Sequence, residues 1–184
     1  MSKIKSQVCF LTPGALCPEK PLFVFLPGMD GTGQLLRTQM AGLEVEFDVR
    51  CLAIPPDDLT TWNVLTKKVV ALIKAQQVGR PPDQPVYLCG ESFGGCLALK
   101  IAVHSPHLFS HIVLVNPASS FHRRPWMLWG GQVIQWLPDL LYEVSAIGLL
   151  PYLAALDRIL PDDRKALLHA MKTVHKATAI WRMS

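Results

Sequence analysis

An α/β fold, built on a mostly parallel sheet flanked by helices, is the architecture this sequence predicts, and three observations carry it. Short unbroken apolar runs, of the kind a strand buried on both faces needs, recur at "PLFVFLPG", "VRCLAIP", "VYLCGES" and "HIVLVNP". Helical patterns separate the later runs, and strand–helix–strand order implies parallel pairing with helices on the sheet faces. Finally, the chain has 184 residues, 50% hydrophobic and only 17% charged, which is enough for one domain with a substantial core.

The first run, Pro21 to Gly28, ends in Pro-Gly and leads into the glycine-rich "GMDGTG". The second covers Val49 to Pro55. After it Thr60 or Thr61 offers a helix N-cap, and Trp62, Leu65, Val69, Leu72 and Ile73 recur at helical spacing. The turn-rich "GRPPDQP" connects this helix to the third run, and a helix carrying Cys96, Leu97, Ile101 and Ala102 follows until Ser105-Pro106 stops it. The fourth run is His111 to Pro117. Beyond it the pattern changes: residues 119–184 show aromatic and helical segments punctuated by Pro125, Pro138, Pro151 and Pro161, with no convincing strand. Pro161 reads as a helix start, with Asp162 and Asp163 near its positive end and Leu167, Leu168, Met171 and Val174 on one face. The expected division is a partial α/β core over residues 1–118 and a helical cap or lid over 119–184, within one truncated structural domain.

The formal net charge of +4 is a mild excess without dense Lys/Arg patches, so no nucleic-acid partner is expected. Five cysteines form no CxxC pair, and Cys51, Cys89 and Cys96 sit inside apolar runs as small core hydrophobes do. A reducing, cytoplasmic setting follows as the expectation, with no metal and no cofactor. The start "MSKIKSQVCFL" has neither a signal-peptide core nor an Arg/Ser-rich transit pattern. No run reaches the roughly 18 uninterrupted apolar residues of a membrane span. The greasiest stretch, Trp126 to Leu156, is broken by Pro138, Asp139, Glu143 and Pro151.

Chemistry concentrates at "VYLCGESFGGCLAL", an apolar strand, a serine between glycines and an apolar helix. A sharp strand-to-helix turn lifts a serine hydroxyl above the sheet edge, and Gly90 and Gly94 remove side chains that would collide there. Gly95 lets the helix pack close to the strand. Ser92 is then a candidate nucleophile, with the Phe93 N–H at the helix start as one oxyanion donor. The competing reading is a glycine-rich turn around a buried serine. A second donor should come from the loop after an earlier strand, where "FLPGMDGTG" stands with Gly28, Gly31 and Gly33; the Met29 N–H is the candidate. A plain turn and a phosphate cradle compete with that reading, although the Gly-Lys-Ser/Thr of a P-loop and any GxGxxG are missing. Asp30 in this loop, Asn116 at the tip of the fourth strand and His122 just beyond it complete the residues expected near the pocket.

With these stretches in view the chain resembles the α/β-hydrolases, and more narrowly the phytyl ester synthase and diacylglycerol acyltransferase-like family of plants and cyanobacteria. "PLFVFLPGMDGTG", "RCLAIPPDDLTTW", "PVYLCGESFGGCLALKIA", "LVNPASSF" and "LPDLL…LLPYL" carry the likeness in order over about residues 21–155. Many α/β-hydrolases have His-Gly where this chain has Pro27-Gly28; the proline also occurs in the resembled family. The resemblance implies acyl transfer from a fatty-acyl lipid or thioester donor to phytol, diacylglycerol or water, with Ser92 as nucleophile, Met29 and Phe93 as oxyanion donors, and a cyanobacterial or plastid-type setting.

A serine needs a histidine to take its proton and an acid to orient that histidine, and in this fold both follow the serine. They normally sit in loops after two further strands, and no such strands are visible beyond the fourth run. His104, His107 and His111 lie on or after the helix that leaves the serine and read as surface or capping residues. His169 and His175, with Asp139, Asp157 or Asp162 as acids, satisfy the chain order but sit on helical segments with a solvated face. The expectation is therefore an N-terminal part whose acid and base lie further along, inactive alone and exposing a sheet edge. "FHRRPWMLWGGQVIQWLPDLL" combines Arg123 and Arg124 with Trp126, Trp129 and Trp136; it suits a cap that buries acyl or prenyl chains, a peripheral membrane contact, or ordinary packing.

Overall fold

The computed structural model describes residues 7–119, 136, 138 and 161–183. His122, Arg123, Arg124, Trp126 and Trp129 lie outside the described residues.

Five strands form one sheet: β1 (Cys9–Leu11), β2 (Leu22–Leu26), β3 (Asp48–Ala53), β4 (Val86–Glu91) and β5 (His111–Val115), in the spatial order β1-β3-β2-β4-β5. All neighbours among β2 to β5 pair in parallel, which matches the expectation. The sequence reading missed β1, which pairs antiparallel with β3 and sets Phe10 opposite Leu52. Three residues carry too little pattern to stand out as a strand; pairing with a buried neighbour stabilises them.

The helices are α1 (Met40–Glu46, after a 3-10 turn at Gln34–Thr38), α2 (Trp62–Gln77), α3 (Phe93–His104), α4 (Pro161–Lys172) and α5 (Lys176–Met183). Thr61 takes the N-cap position of α2 without a side-chain capping bond. Asp58 Oδ1 instead accepts the Thr60 N–H at 2.8 Å, which shapes the turn ahead of the helix. Helix α4 is described over Pro161–Lys172, and Asp163 pairs with Arg37 of the 3-10 turn at 2.6 Å.

Burial splits β2 by alternation. Leu22, Val24 and Leu26 join Leu52, Leu88, the α2 residues Leu65, Val69 and Ile73, and the α3 residues Phe93, Leu97 and Ile101. Phe23 and Phe25 face the other way, onto Val49, Cys51, Cys89 and the α1 side. Helices on opposite faces thus cover a strand apolar at every position, as a central parallel strand requires. At the foot of β3, buried Asp48 holds Arg50 (Nη1 to Oδ1, 2.6 Å), Arg80 and the Cys17 N–H.

β5 departs from the pattern of a strand buried on both faces. Ile112, Val113, Leu114 and Val115 are 39–45% exposed, and among the described residues β5 has a strand neighbour on one side only. An exposed sheet edge was the expectation here, and the apolar side chains make it adhesive.

The strand order also creates a site. The chain runs from β2 through α1 to β3 on one side, then crosses back over β2 through α2 to reach β4 on the other. The order reverses between β2 and β4, and the crevice beyond their carboxyl ends is where parallel α/β sheets place ligands.

Candidate active site

Ser92 follows the last residue of β4 and is the N-cap of α3, with φ 51° and ψ −113°. A positive φ costs a non-glycine residue about 1–3 kcal/mol and persists only when its surroundings enforce it. Those surroundings are explicit. The Ser92 N–H donates to Val115 O at 3.0 Å, and its carbonyl accepts from Gly95 N (3.0 Å) and Ala118 N (3.1 Å). The segment after β5 therefore clamps the serine backbone from outside. Asn116, between the two clamping residues, turns the chain there with φ 49°. It is exposed and belongs to the clamp.

The motif glycines are places of backbone contact. A Cβ on Gly90 would lie 2.3 Å from Gly94 O, and one on Gly94 would lie 2.1 Å from Leu26 O. A Cβ on Gly95 would meet Pro117 Cβ at 2.8 Å. Helix α3 is thus pressed onto β2, β4 and the loop after β5 at once. The Ser92 side chain is half-buried, while Phe93 beneath it is 2% exposed. The Phe93 ring packs on Trp62 (centroids 4.8 Å apart) and Trp181 (6.3 Å).

The loop after β2 lies against the elbow: a Cβ on Gly28 would sit 3.8 Å from Ser92 Cβ and 3.9 Å from Glu91 O. Residues Gly28 to Gly31 form a turn closed by the Gly31 N–H on Gly28 O (3.1 Å), and Gly31 O accepts from Ile54 N (2.8 Å). Gly31 and Gly33 have φ of 68° and 67°, a conformation glycine adopts freely. Among the described residues neither the Met29 nor the Phe93 N–H donates to a backbone carbonyl. Asp30 is buried, and its carboxylate accepts from Thr32 N (2.9 Å) and the Thr32 hydroxyl, so it shapes the loop.

Two charged groups escaped the sequence reading. Glu91 is half-buried beside the serine, and burial, then the charge of Asp30, pushes its carboxyl above the ordinary 4.5. Its place in "GESFG" was the available signal. Arg182 of α5 is 4% exposed, and its guanidinium donates to Met29 O and to Pro55 O (3.2 Å). Burial lowers its pKa below the ordinary arginine value, while Asp30 and Asp58 oppose that shift. Nothing in "AIWRMS" links that arginine to a loop 153 residues earlier.

His104, His107, His111, His169 and His175 are all exposed, and among the described residues no histidine is hydrogen-bonded to Ser92. Among the same residues no cluster of three or more His, Cys, Asp or Glu could hold a metal ion, and no helix is long and apolar enough to cross a membrane.

A serine on a strained turn between strand and helix, set at the switch point of a parallel sheet beside a glycine-rich loop, defines an α/β-hydrolase. The chain belongs to the Hydrolase_4 family, described as serine aminopeptidase, S33, which matches residues 58–177. It is 46% identical over 107 residues to phytyl ester synthase 1, chloroplastic, of Arabidopsis thaliana, covering 58% of this chain and 15% of that protein. To phytyl ester synthase 2, chloroplastic, of the same plant it is 37% identical over 138 residues, 73% of this chain and 20% of that one. The chain therefore spans a fifth or less of these curated relatives. A hydrolase from Pseudomonas aeruginosa shares the fold with a TM-score of 0.66 at 18% identity, over 97% of this chain and 71% of that one.

Proposed function

We propose that this chain carries the nucleophile half of a serine-dependent acyltransferase or ester hydrolase acting on fatty-acyl esters. The carrying observation is the left-handed Ser92 held at the head of α3 against the Gly28–Gly31 turn. The likeness to two phytyl ester synthases supports a lipid ester as acyl donor and phytol, diacylglycerol or water as acceptor, in a plastid-type setting.

In the first step Ser92 Oγ attacks the acyl carbonyl. A C–O bond forms, the carbonyl π pair moves onto oxygen, and the Met29 and Phe93 N–H groups face the new charge. Collapse breaks the bond to the leaving alkoxide or thiolate, which takes up the proton that Ser92 Oγ gave up. The acceptor hydroxyl then attacks the Ser92 ester, and the proton it loses is returned to Oγ as the serine is released. The base for these transfers is not among the described residues. An oxyanion site alone retains roughly 10³–10⁴-fold acceleration over water when triad members are missing. With no base among the described residues to activate the hydroxyl, phosphonylation of Ser92 and steady-state ester turnover by this chain both stay far below those of an esterase. Residues 1–118 form the catalytic core on this reading, and 119–184 form a cap over the acyl chain, where exposed Trp136 suits a lipid surface.

Fluorophosphonate labelling of the purified chain, with Ser92→Ala as control, tests the reading. Labelling confined to Ser92 supports it. No labelling above the control refutes it and leaves a lipid-holding module without chemistry. Acyl-donor profiling separates oxygen esters from thioesters.

A further inference from the structure

We propose that Arg182 is the positioning residue of the oxyanion site, holding the Met29 turn in register with the Phe93 amide; this rests on the reading of Ser92 as nucleophile. Two peptide planes flank Met29. In the first, Gly28 O accepts the Gly31 N–H at 3.1 Å. Because the peptide is trans, the Met29 N–H points opposite to that carbonyl, so the turn bond aims it. The second plane carries Met29 O, and Arg182 Nη1 donates to it. With both planes fixed, Met29 cannot flip either neighbour.

The same guanidinium ties this turn to the rest of the site. Its Nη2 donates to Pro55 O at 3.2 Å, so one planar fork bridges the loops after β2 and β3. A Cβ on Gly31 would lie 3.0 and 3.1 Å from Nη1 and Nη2, so that bare glycine makes the seat for the fork. The guanidinium carbon lies 5.6 Å from the centroid of the Phe93 ring, whose backbone N–H is the other candidate donor. Trp181 stacks on Trp62 at 5.7 Å and fixes the end of α5 over that ring. One side chain from α5 therefore braces both halves of the oxyanion site. Burying a cation at 4% exposure without a solvent-facing head is a cost that packing alone does not demand.

The test uses the purified chain with Arg182→Met, Arg182→Lys and Ser92→Ala. Fluorophosphonate labelling rates across pH are combined with hydrogen exchange of the Met29–Gly33 and β4 amides. Arg182→Met is expected to slow labelling about 100-fold, as a displacement near 1 Å does, with the shape of the pH profile unchanged. Exchange should quicken in Met29–Gly33 and stay slow in β4. Arg182→Lys, which keeps the charge but loses the fork, should fold as the parent does and recover only part of the rate. Labelling by Arg182→Lys equal to the parent, or exchange rising uniformly across the sheet in both variants, overturns the proposal. If the parent itself is not labelled at Ser92, the nucleophile reading fails separately. Unaltered exchange at Met29–Gly33 then overturns the brace as well.

Discussion

Gly94→Ala is the sharpest single test of the elbow. An added Cβ would lie 2.1 Å from Leu26 O and 2.5 Å from Pro27 O, both backbone atoms of the central strand and its exit. Neither can swing aside as a side chain could. Restoring even a tight 3.0 Å contact moves the start of α3 by about 0.9 Å. Overpacking of this kind costs about 1–3 kcal/mol. For a chain of this size that lowers Tm by about 2–12 °C. The same displacement shifts the Phe93 N–H relative to the Met29 turn, so fluorophosphonate labelling should fall about 100-fold. Gly42→Ala is the matched control: it sits in α1 with nothing within 4 Å of the new Cβ, and it should stabilise by about 0.5–1 kcal/mol. Thermal unfolding and labelling of both variants decide the matter. A Gly94→Ala chain that melts with the parent and labels at its rate would show that α3 does not press on β2 as described.

Three further outcomes follow from buried charges and thiols. Burial pushes the Asp48 carboxyl up, but hydrogen bonds from Arg50, Arg80 and the Cys17 N–H outweigh it, leaving the pKa below 3.8. Asp48 thus stabilises above pH 3.8 and stops doing so as pH falls through its folded value. Asp48→Asn strands two guanidiniums, so it should cost about 3–5 kcal/mol at neutral pH and flatten the acid limb of a stability–pH curve from urea titrations. Glu91 runs oppositely: its folded pKa is raised, so its favourable contribution is present below 4.5 and lost as pH rises through the folded value. Glu91→Gln should therefore raise Tm at pH 7 and erase that decline; a lower Tm would contradict the assignment. Burial drives Cys51 up to about 12 and Cys89 to about 11. Iodoacetamide at pH 8 should modify them only on unfolding, as peptide mapping would show.

The four parallel strands and the elbow were legible because each is local: an unbroken apolar run marks a strand covered on both faces, and glycines two places either side of a serine mark a bend. β1 was not legible, since a three-residue strand owes its existence to its neighbour. An open edge was expected, but the exposure of the β5 side chains themselves could not be read from composition, because "HIVLV" is as apolar as the central strands.

Sequence by itself determined the alternation of strands and helices, the turn that holds Ser92 and the bare backbone around it, all set by residue-to-residue sterics over a few positions. Only the tertiary structure decided that the order reverses between β2 and β4, that Val115 and Ala118 clamp the serine, and that Arg182 seats on Gly31. Those contacts join segments far apart in the chain, and their energy comes from burial and hydrogen bonds that exist only once the sheet is assembled.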